Sequence, residues 1–518
     1  MNSLWIIVGF TLAVIGLLTV LISRKVRLKR EIKTRRWVTS KERKERSLRV
    51  CTYIGTIVGT LGLVIAVLSE LHVLGIRKEV KEVNENIKLI ERRLGVPIYV
   101  DGLLSVDSAV FDPFAKGLKL MKEYKWNKAI AEFKEAMKEA RDSQLVALYN
   151  ITGGCYYTPG KLDLAFENWN KSLSLAKEFN DEKGEAAALG NLGIIYQTKG
   201  DLDTALKRIE EALKISREIG DKKREAAALN NLGPIYKTRG QLDRALKYYE
   251  DALGIFMEIG NKDGEAMVLN NIGIIFKTRG ELENALKYYK DAFKIVSENA
   301  NKEGLAVVLG NIGTIFDIKG DLDSALKYNG DALEISKEID YKEGEARYLN
   351  NIGLIYLRKN ESDVARKNYE DALKIDKEIE NRKDEAAVLG NMGTLFGAIG
   401  DLDSAFKYHE EALKIEREIG NRQDEAIILA SLGQVYLKRG HFHLALKYHE
   451  DALKIDREIG NKEAEGLHLY DLGLIFDAMG ENKNALENFK DALTIFTQIG
   501  MQREIEMVKE NIELLKGE

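Results

Sequence analysis

Six asparagines stand in one phase of this sequence, Asn191, Asn231, Asn271, Asn311, Asn351 and Asn391, each 40 residues after the last. Three are preceded by a second asparagine: Asn230, Asn270 and Asn350. A carboxamide both donates and accepts hydrogen bonds, so a row of them, one per structural unit, can bond to the backbone of an extended chain while reading little of its sequence. The same amides can instead bond to the preceding unit and set its orientation. The residue types alone leave both roles open.

Other groups that could do chemistry are weaker. The run from Gly153 to Lys161 approaches a phosphate-binding loop, but its spacing differs, and Leu162 stands where a Ser or Thr would hold magnesium. His441 and His443 offer two imidazoles with no third ligand at a recognisable spacing, while His409 and His449 fall at an aromatic core position of a recurring helix. Paired carboxylates such as Glu210 and Glu211 fall on solvated helix faces. No catalytic activity, cofactor or metal is expected. The Asn-x-Ser/Thr sequons at Asn150, Asn170 and Asn360 are about what chance gives in so Asn-rich a chain.

The elements that carry the asparagines recur as units. A glycine follows two residues after each, at Gly193, Gly233, Gly273, Gly313, Gly353 and Gly393; the series continues to Gly433 and Gly473 and is preceded by Gly117 and Gly153. A fixed period of this size means stacked two-helix units, each burying its apolar face against the next. Small residues on the first helix (A) and at Ala205, Ala245, Ala285, Ala325, Ala365, Ala405, Ala445 and Ala485 on the second (B) allow a short interaxial distance. Gly200, Gly240 and Gly280 are placed to end helix A in a left-handed conformation, and Asn360 replaces that glycine once. Asp201 or Glu281 then opens helix B at its positive dipole end. Only four prolines interrupt a chain with 31% charged residues, so the fold class is all-α. Pro234, inside a helix A, is expected to bend it. The array spans 107–500 as about ten repeats, with 501–518 as a capping helix whose outer face is charged.

Ala115-Lys-Gly117, with Trp126-Asn-Lys-Ala129-Ile-x-x-Phe133-x-x-Ala136, matches the small and large residues of a tetratricopeptide repeat (TPR). The sequence resembles that family, and its 40-residue Asn-Leu-Gly form is similar to the repeats of kinesin light chains and Pins-type adaptors. The resemblance implies a right-handed superhelical solenoid whose A helices line a concave groove for extended peptide segments of partner proteins. It turns Asn191, Asn230, Asn231, Asn270, Asn271, Asn311, Asn350, Asn351 and Asn391 toward that groove as peptide-binding residues. Varying neighbours such as Pro234, Thr314, Lys237, Lys277, Asp317, Arg358 and Lys438 would give specificity.

The N-terminal part is of another kind. Residues 1–75 read as a transmembrane hairpin, with uncharged helices at 4–23 and 50–70 long enough to cross a hydrocarbon core, joined by a basic loop at 24–49. That loop holds 13 Lys/Arg against three acids, whereas the whole chain has a net charge of -4. Positive charge so confined places the loop in the cytoplasm, and hence both termini and the array on the outer side of a cell membrane, as a multi-pass protein. It gives no reason to expect a nucleic-acid partner. Val73, Ile76, Val80, Val83, Ile87, Ile90 and Leu94 form an apolar seam that reads as a coiled-coil stalk over 76–95, able to join two copies through residues 73–94. Residues 96–106 are a linker. The reading is a membrane-anchored interaction scaffold; a structural oligomer of the cell envelope, or a regulatory subunit docked on a membrane enzyme through the hairpin, are the alternatives.

Overall fold

The computed structural model describes residues 82–90, 103 and 108–517. The expected membrane helices at 4–23 and 50–70, the basic loop, the ends of the stalk and all of the 96–106 linker except Leu103 lie outside these residues. Among the described residues, no helix is long and apolar enough to cross a membrane.

From Ser108 to Gly517 the chain is a run of antiparallel helix pairs, without a strand among the described residues. Repeat one pairs Ser108–Lys122 with Trp126–Met137, and repeat two pairs Ser143–Tyr157 with Leu162–Glu178. Repeats three to six begin their A helices at Glu182, Lys222, Lys262 and Lys302; repeats seven to ten begin at Lys342, Arg382, Arg422 and Lys462. Gln502–Gly517 closes the series as the cap. In repeat four, typical of the array, both helices are 17 residues long, Lys222–Thr238 and Leu242–Glu258, and three residues connect them. Three residues also separate this B helix from the next A helix, which begins at Lys262.

The turns are built as the sequence pattern indicates. Gly200 and Gly240 adopt φ of +80° and +70°, and Asn360 takes the same left-handed conformation at 59°. Asp201 caps its B helix by accepting from the Thr204 N–H, whereas Glu281 makes no such bond. The A helices are capped in the same way, for example by Asp221 on Arg224 N–H and Asn261 on Gly264 N–H. The helix containing Pro234 runs unbroken from Lys222 to Thr238 and matches its neighbours in length.

Packing explains the invariant helix A glycine. A Cβ on Gly233 would lie 2.2 Å from the Tyr249 ring, one on Gly273 would lie 2.5 Å from Tyr289, and one on Gly473 would lie 2.5 Å from Phe489. The glycine makes a slot for the large side chain of its own B helix, which is fully buried at Tyr289, Tyr369 and Phe489.

The solenoid also folds back on itself. The turn at Gly160 sits against Ile419, that at Gly200 against Ile459 and that at Gly240 against Ile499, each pair 259 residues apart, or about six and a half repeats. The equivalent turn in repeat one holds Tyr124, with φ of 57°. There the Trp126 indole N–H donates to the Ile379 carbonyl at 3.0 Å, and the Tyr124 hydroxyl donates to the Glu343 carboxylate at 2.8 Å. Repeats one to four therefore meet repeats seven to ten at the same A-to-B turn, through isoleucine packing in repeats two to four and through hydrogen bonds in repeat one.

Of the apolar seam, Val83, Ile87 and Ile90 fall within the described residues. All three are buried in one apolar cluster with Leu103, Phe114, Trp126 and Ile379 of the same chain. Over this stretch the face that heptad spacing offered to a second copy is covered by the chain's own repeats.

Candidate functional site

Helix A places its asparagines so that they meet across repeat boundaries. Asn271 Nδ2 donates to Asn230 Oδ1 at 2.8 Å, Asn311 to Asn270 at 2.6 Å, and Asn391 to Asn350 at 2.9 Å, always 41 residues back. Asn191 donates to Asn150 at 3.2 Å in the same way. Where the acceptor position is a glycine, the pattern changes. Asn351 faces Gly310 and turns to Asn329 Oδ1 at 3.1 Å, while Asn231 faces Gly190 and makes no side-chain bond among the described residues. Asn511 of the cap donates to the Tyr470 hydroxyl at 3.1 Å in the same register. The paired asparagines are thus donor and acceptor of one tie between successive A helices. Arg358 on Asp317 and Lys438 on the Gly397 carbonyl, at 2.7 and 2.9 Å, are further ties of the same 41-residue kind. Three of the residues expected to carry specificity, Asp317, Arg358 and Lys438, are engaged in this way.

The ties do not exhaust the amides. Each donating amide uses one of two N–H groups and keeps its carbonyl oxygen, which can accept two hydrogen bonds. Asn191 and Asn230 are buried; Asn231, Asn270, Asn271, Asn311, Asn350, Asn351 and Asn391 are half-buried. Asn230, Asn231 and Asn270 line a cavity of about 480 Å³ together with Ala227, Met267 and Val307. Lys88, from the helical stretch 82–90, lines the same cavity.

That lining exposes a file of residues that sequence reading passed over. Ala227, Met267 and Val307 occupy one position of helix A, continued by Ile427 and Leu467, which are 48% and 37% exposed. An exposed apolar position repeated on the wall that carries the amides is what a binding face offers and a core does not. The available signal was the 40-residue register itself, in which this position is apolar, from Ala to Met, Ile and Leu, in every repeat from three to ten except for Arg347.

Charged groups gather at one place on this wall. Lys237 pairs with Glu463 at 3.5 Å across the superhelical turn. Burial, and then the like charge of Lys237, lowers the Lys277 ammonium, while Glu463 opposes the shift. The histidines expected in the core are there: His409 and His449 are buried, and burial brings His409 down to about 4. His441 and His443 are exposed.

The sequence profile of the tetratricopeptide repeat matches residues 143–218, 184–258, 224–298, 264–338, 304–378 and 384–458. The chain belongs to the tetratricopeptide-repeat family. Among solved structures, this TPR array is similar to a Rap protein complexed with competence and sporulation factor, at 16% identity over 68% of this chain and 98% of that one, with a TM-score of 0.48. It is similar to the apo form of the quorum sensor NprR from B. thuringiensis, at 16% identity over 68% and 99% of the two chains and a TM-score of 0.41. A STAND ATPase with a tetratricopeptide sensor from Pyrococcus horikoshii aligns at 17% identity over 67% of this chain and 53% of that one, with a TM-score of 0.41. No curated protein matches the chain significantly.

Proposed function

We propose that the array binds an extended peptide segment of a partner protein along the wall of A helices and performs no catalysis of its own. The observation that carries this reading is the cavity of about 480 Å³ in which the apolar side chains of Ala227, Met267 and Val307 lie beside Asn230, Asn231 and Asn270. An extended peptide alternates side chains with backbone amides, and this wall offers an apolar contact for the first and carboxamides for the second. The hairpin over 4–23 and 50–70 holds the array to a cell membrane, with the repeats on the outer side.

Random peptides selected on the full-length chain test the reading. Replacing Met267 and Val307 together with Glu should weaken the selected peptides by about 100-fold or more, because two apolar contacts worth about 1.5–3 kcal/mol each would be lost. Unchanged affinity overturns the proposal. The orientation is tested separately: protease added to intact cells should cut the array and spare residues 24–49, and full protection of the array reverses the topology.

A further inference from the structure

The junction between repeats nine and ten departs from the rest of the array at several positions. Helix B of repeat nine (Phe442–Ile459) carries His449 where repeats four, five and seven carry Tyr249, Tyr289 and Tyr369, and Asp456 where repeats three and six carry Ser216 and Ser336. Helix A of repeat ten (Lys462–Ala478) carries His468 where Val268, Val308 and Val388 stand, and Asp471 where Asn271, Asn311, Asn351 and Asn391 stand. At the His468 and Asp471 positions a packing or tying residue has given way, in this repeat, to one that can ligate a metal; a histidine also stands at the His449 position in repeat eight (His409), and an acid at the Asp456 position in repeats seven and eight (Asp376 and Glu416).

The fold brings these substitutions together. One ring nitrogen each from His449 and His468 and one carboxylate oxygen of Asp471 all lie within 4.8 Å of one another, the only such group among the described residues. His449 Nδ1 is 3.7 Å from Asp471 Oδ2. His468 Nε2 comes within 3.0 Å of Asp456 Oδ2 without lining up as a hydrogen bond. His449 and Asp456 are 0% exposed and His468 6%. Nevertheless His449 Nδ1, both ring nitrogens of His468 and both carboxylate oxygens of Asp456 have no hydrogen-bond partner. Polar atoms buried in this state cost free energy, and this junction gathers them from three side chains.

Repeat eight supplies an internal control. It has His409 at the same place on helix B, yet the next A helix offers Ile428 and Ser431 where repeat ten offers His468 and Asp471. A histidine in the aromatic slot is thus tolerated as packing alone, and the additional ligating residues mark the repeat nine to ten junction as different.

We infer that His449, His468 and Asp471 form a binding site for a divalent first-row transition-metal ion of the zinc class, which clips repeat nine to repeat ten. Two imidazoles and a carboxylate suit such an ion better than calcium or magnesium, which prefer all-oxygen ligand sets. Bond lengths of about 2.0–2.2 Å in a tetrahedral site put ligand atoms about 3.4 Å apart, so separations that now reach up to 4.8 Å must close by up to about 1.5 Å through adjustment of both rings and of half-buried Asp471. Asp456 is placed as the carboxylate that orients the His468 ring, the role such outer partners usually take.

The test uses the full-length chain without a histidine tag, stripped with a chelator and supplied with Zn²⁺ or Co²⁺. One equivalent of Zn²⁺ should be retained against a weak chelator, Co²⁺ should give the ligand-field absorption of a low-coordinate nitrogen and oxygen site, and Zn²⁺ should raise the melting temperature. Asp471→Asn and His468→Val each restore the residue that this position holds in other repeats, so folding should be kept while affinity falls by on the order of 100-fold or more; Asp456→Asn should cost about 10–100-fold. Replacing the exposed His441 and His443 with Ala should change nothing. Absence of a retained equivalent overturns the site, as does an equivalent that survives both His468→Val and Asp471→Asn, or one that disappears with His441 and His443.

Discussion

Repeats three to six and seven to ten are built from nearly the same sequence but have different surroundings. In repeats seven to ten the isoleucine near the end of helix B is covered by an earlier turn of the superhelix: Ile379, Ile419, Ile459 and Ile499 are 3, 7, 6 and 9% exposed. In repeats three to six nothing equivalent among the described residues covers that position: Ile259 is 40% exposed, Ile219 and Ile339 are half-buried, and Asn299 is exposed. The turn glycines show the complementary half. Those at 160, 200 and 240 are pressed against isoleucine side chains, while those at 280, 320, 400, 440 and 480 have nothing near enough for a Cβ to touch. A repeated residue therefore does not have a repeated energy, because its worth depends on whether another turn of the coil lies over it.

The largest measurable consequence is at the isoleucines. Ile459→Ala should destabilise by about 2–5 kcal/mol as a buried large-to-small change, while Ile259→Ala, at the matching site, should stay within about 0.5 kcal/mol. Denaturant unfolding of the two variants side by side measures the difference. Equal losses would mean that the turns of the superhelix do not touch in solution.

A second contrast is electrostatic. Ser216 and Ser336 return their hydroxyls to their own helix, donating to the Ala212 and Ala332 carbonyls at 2.7 and 2.8 Å. The same position in repeats seven and eight holds Asp376 and Glu416. Both oxygens of Asp376 and one of Glu416 are buried without a partner. Burial, and then the nearby Asp384 and Glu385, pushes Asp376 up to about 8; burial, and then Asp424, does the same to Glu416. An unfolded chain ionises these groups near about 4, so the native state holds more protons between the two values and their contribution to stability falls as pH rises from about 4 to about 8. The Asp376→Asn, Glu416→Gln variant should lose less melting temperature than the parent over that range. Parallel curves would show that the two carboxyls are solvated.

The smallest effect concerns the amide ladder. Asn271→Ala removes one tie and should cost about 0.5–1.5 kcal/mol, whereas Asn231→Ala removes none and should be close to neutral in melting. Peptide binding should reverse the order if Asn231, with its amide unengaged, is the better ligand. Equal melting temperatures for the two variants would deprive the ladder of its structural role.

Most of the array was legible beforehand, because a repeat states its pattern many times: the helix pairs, the slot glycines, the left-handed Asn360 and the cap follow from local residue types. What escaped was set by distance. The 41-residue amide ties need the rotation between adjacent repeats, and the pairing of Gly200 with Ile459 needs the pitch of the whole coil; neither is written in any window of sequence. The seam at Val83, Ile87 and Ile90 carried the right apolar periodicity, but periodicity does not say which surface will cover it. Likewise His449 gave a reason to expect packing and none to expect His468 beside it, since the two meet only when helix B of one repeat lies on helix A of the next.

The contact of Trp126 with the Ile379 carbonyl, and its three counterparts above it, changes how such an array comes apart. In a solenoid whose units touch only their neighbours, the termini have the fewest contacts and fray first. Here each of the first four units is stapled to one of the last four, so the two ends support each other and neither can melt without exposing the other. The weakest links are then units five and six, which lie between the stapled stretches, and opening there would act as a hinge between two braced halves.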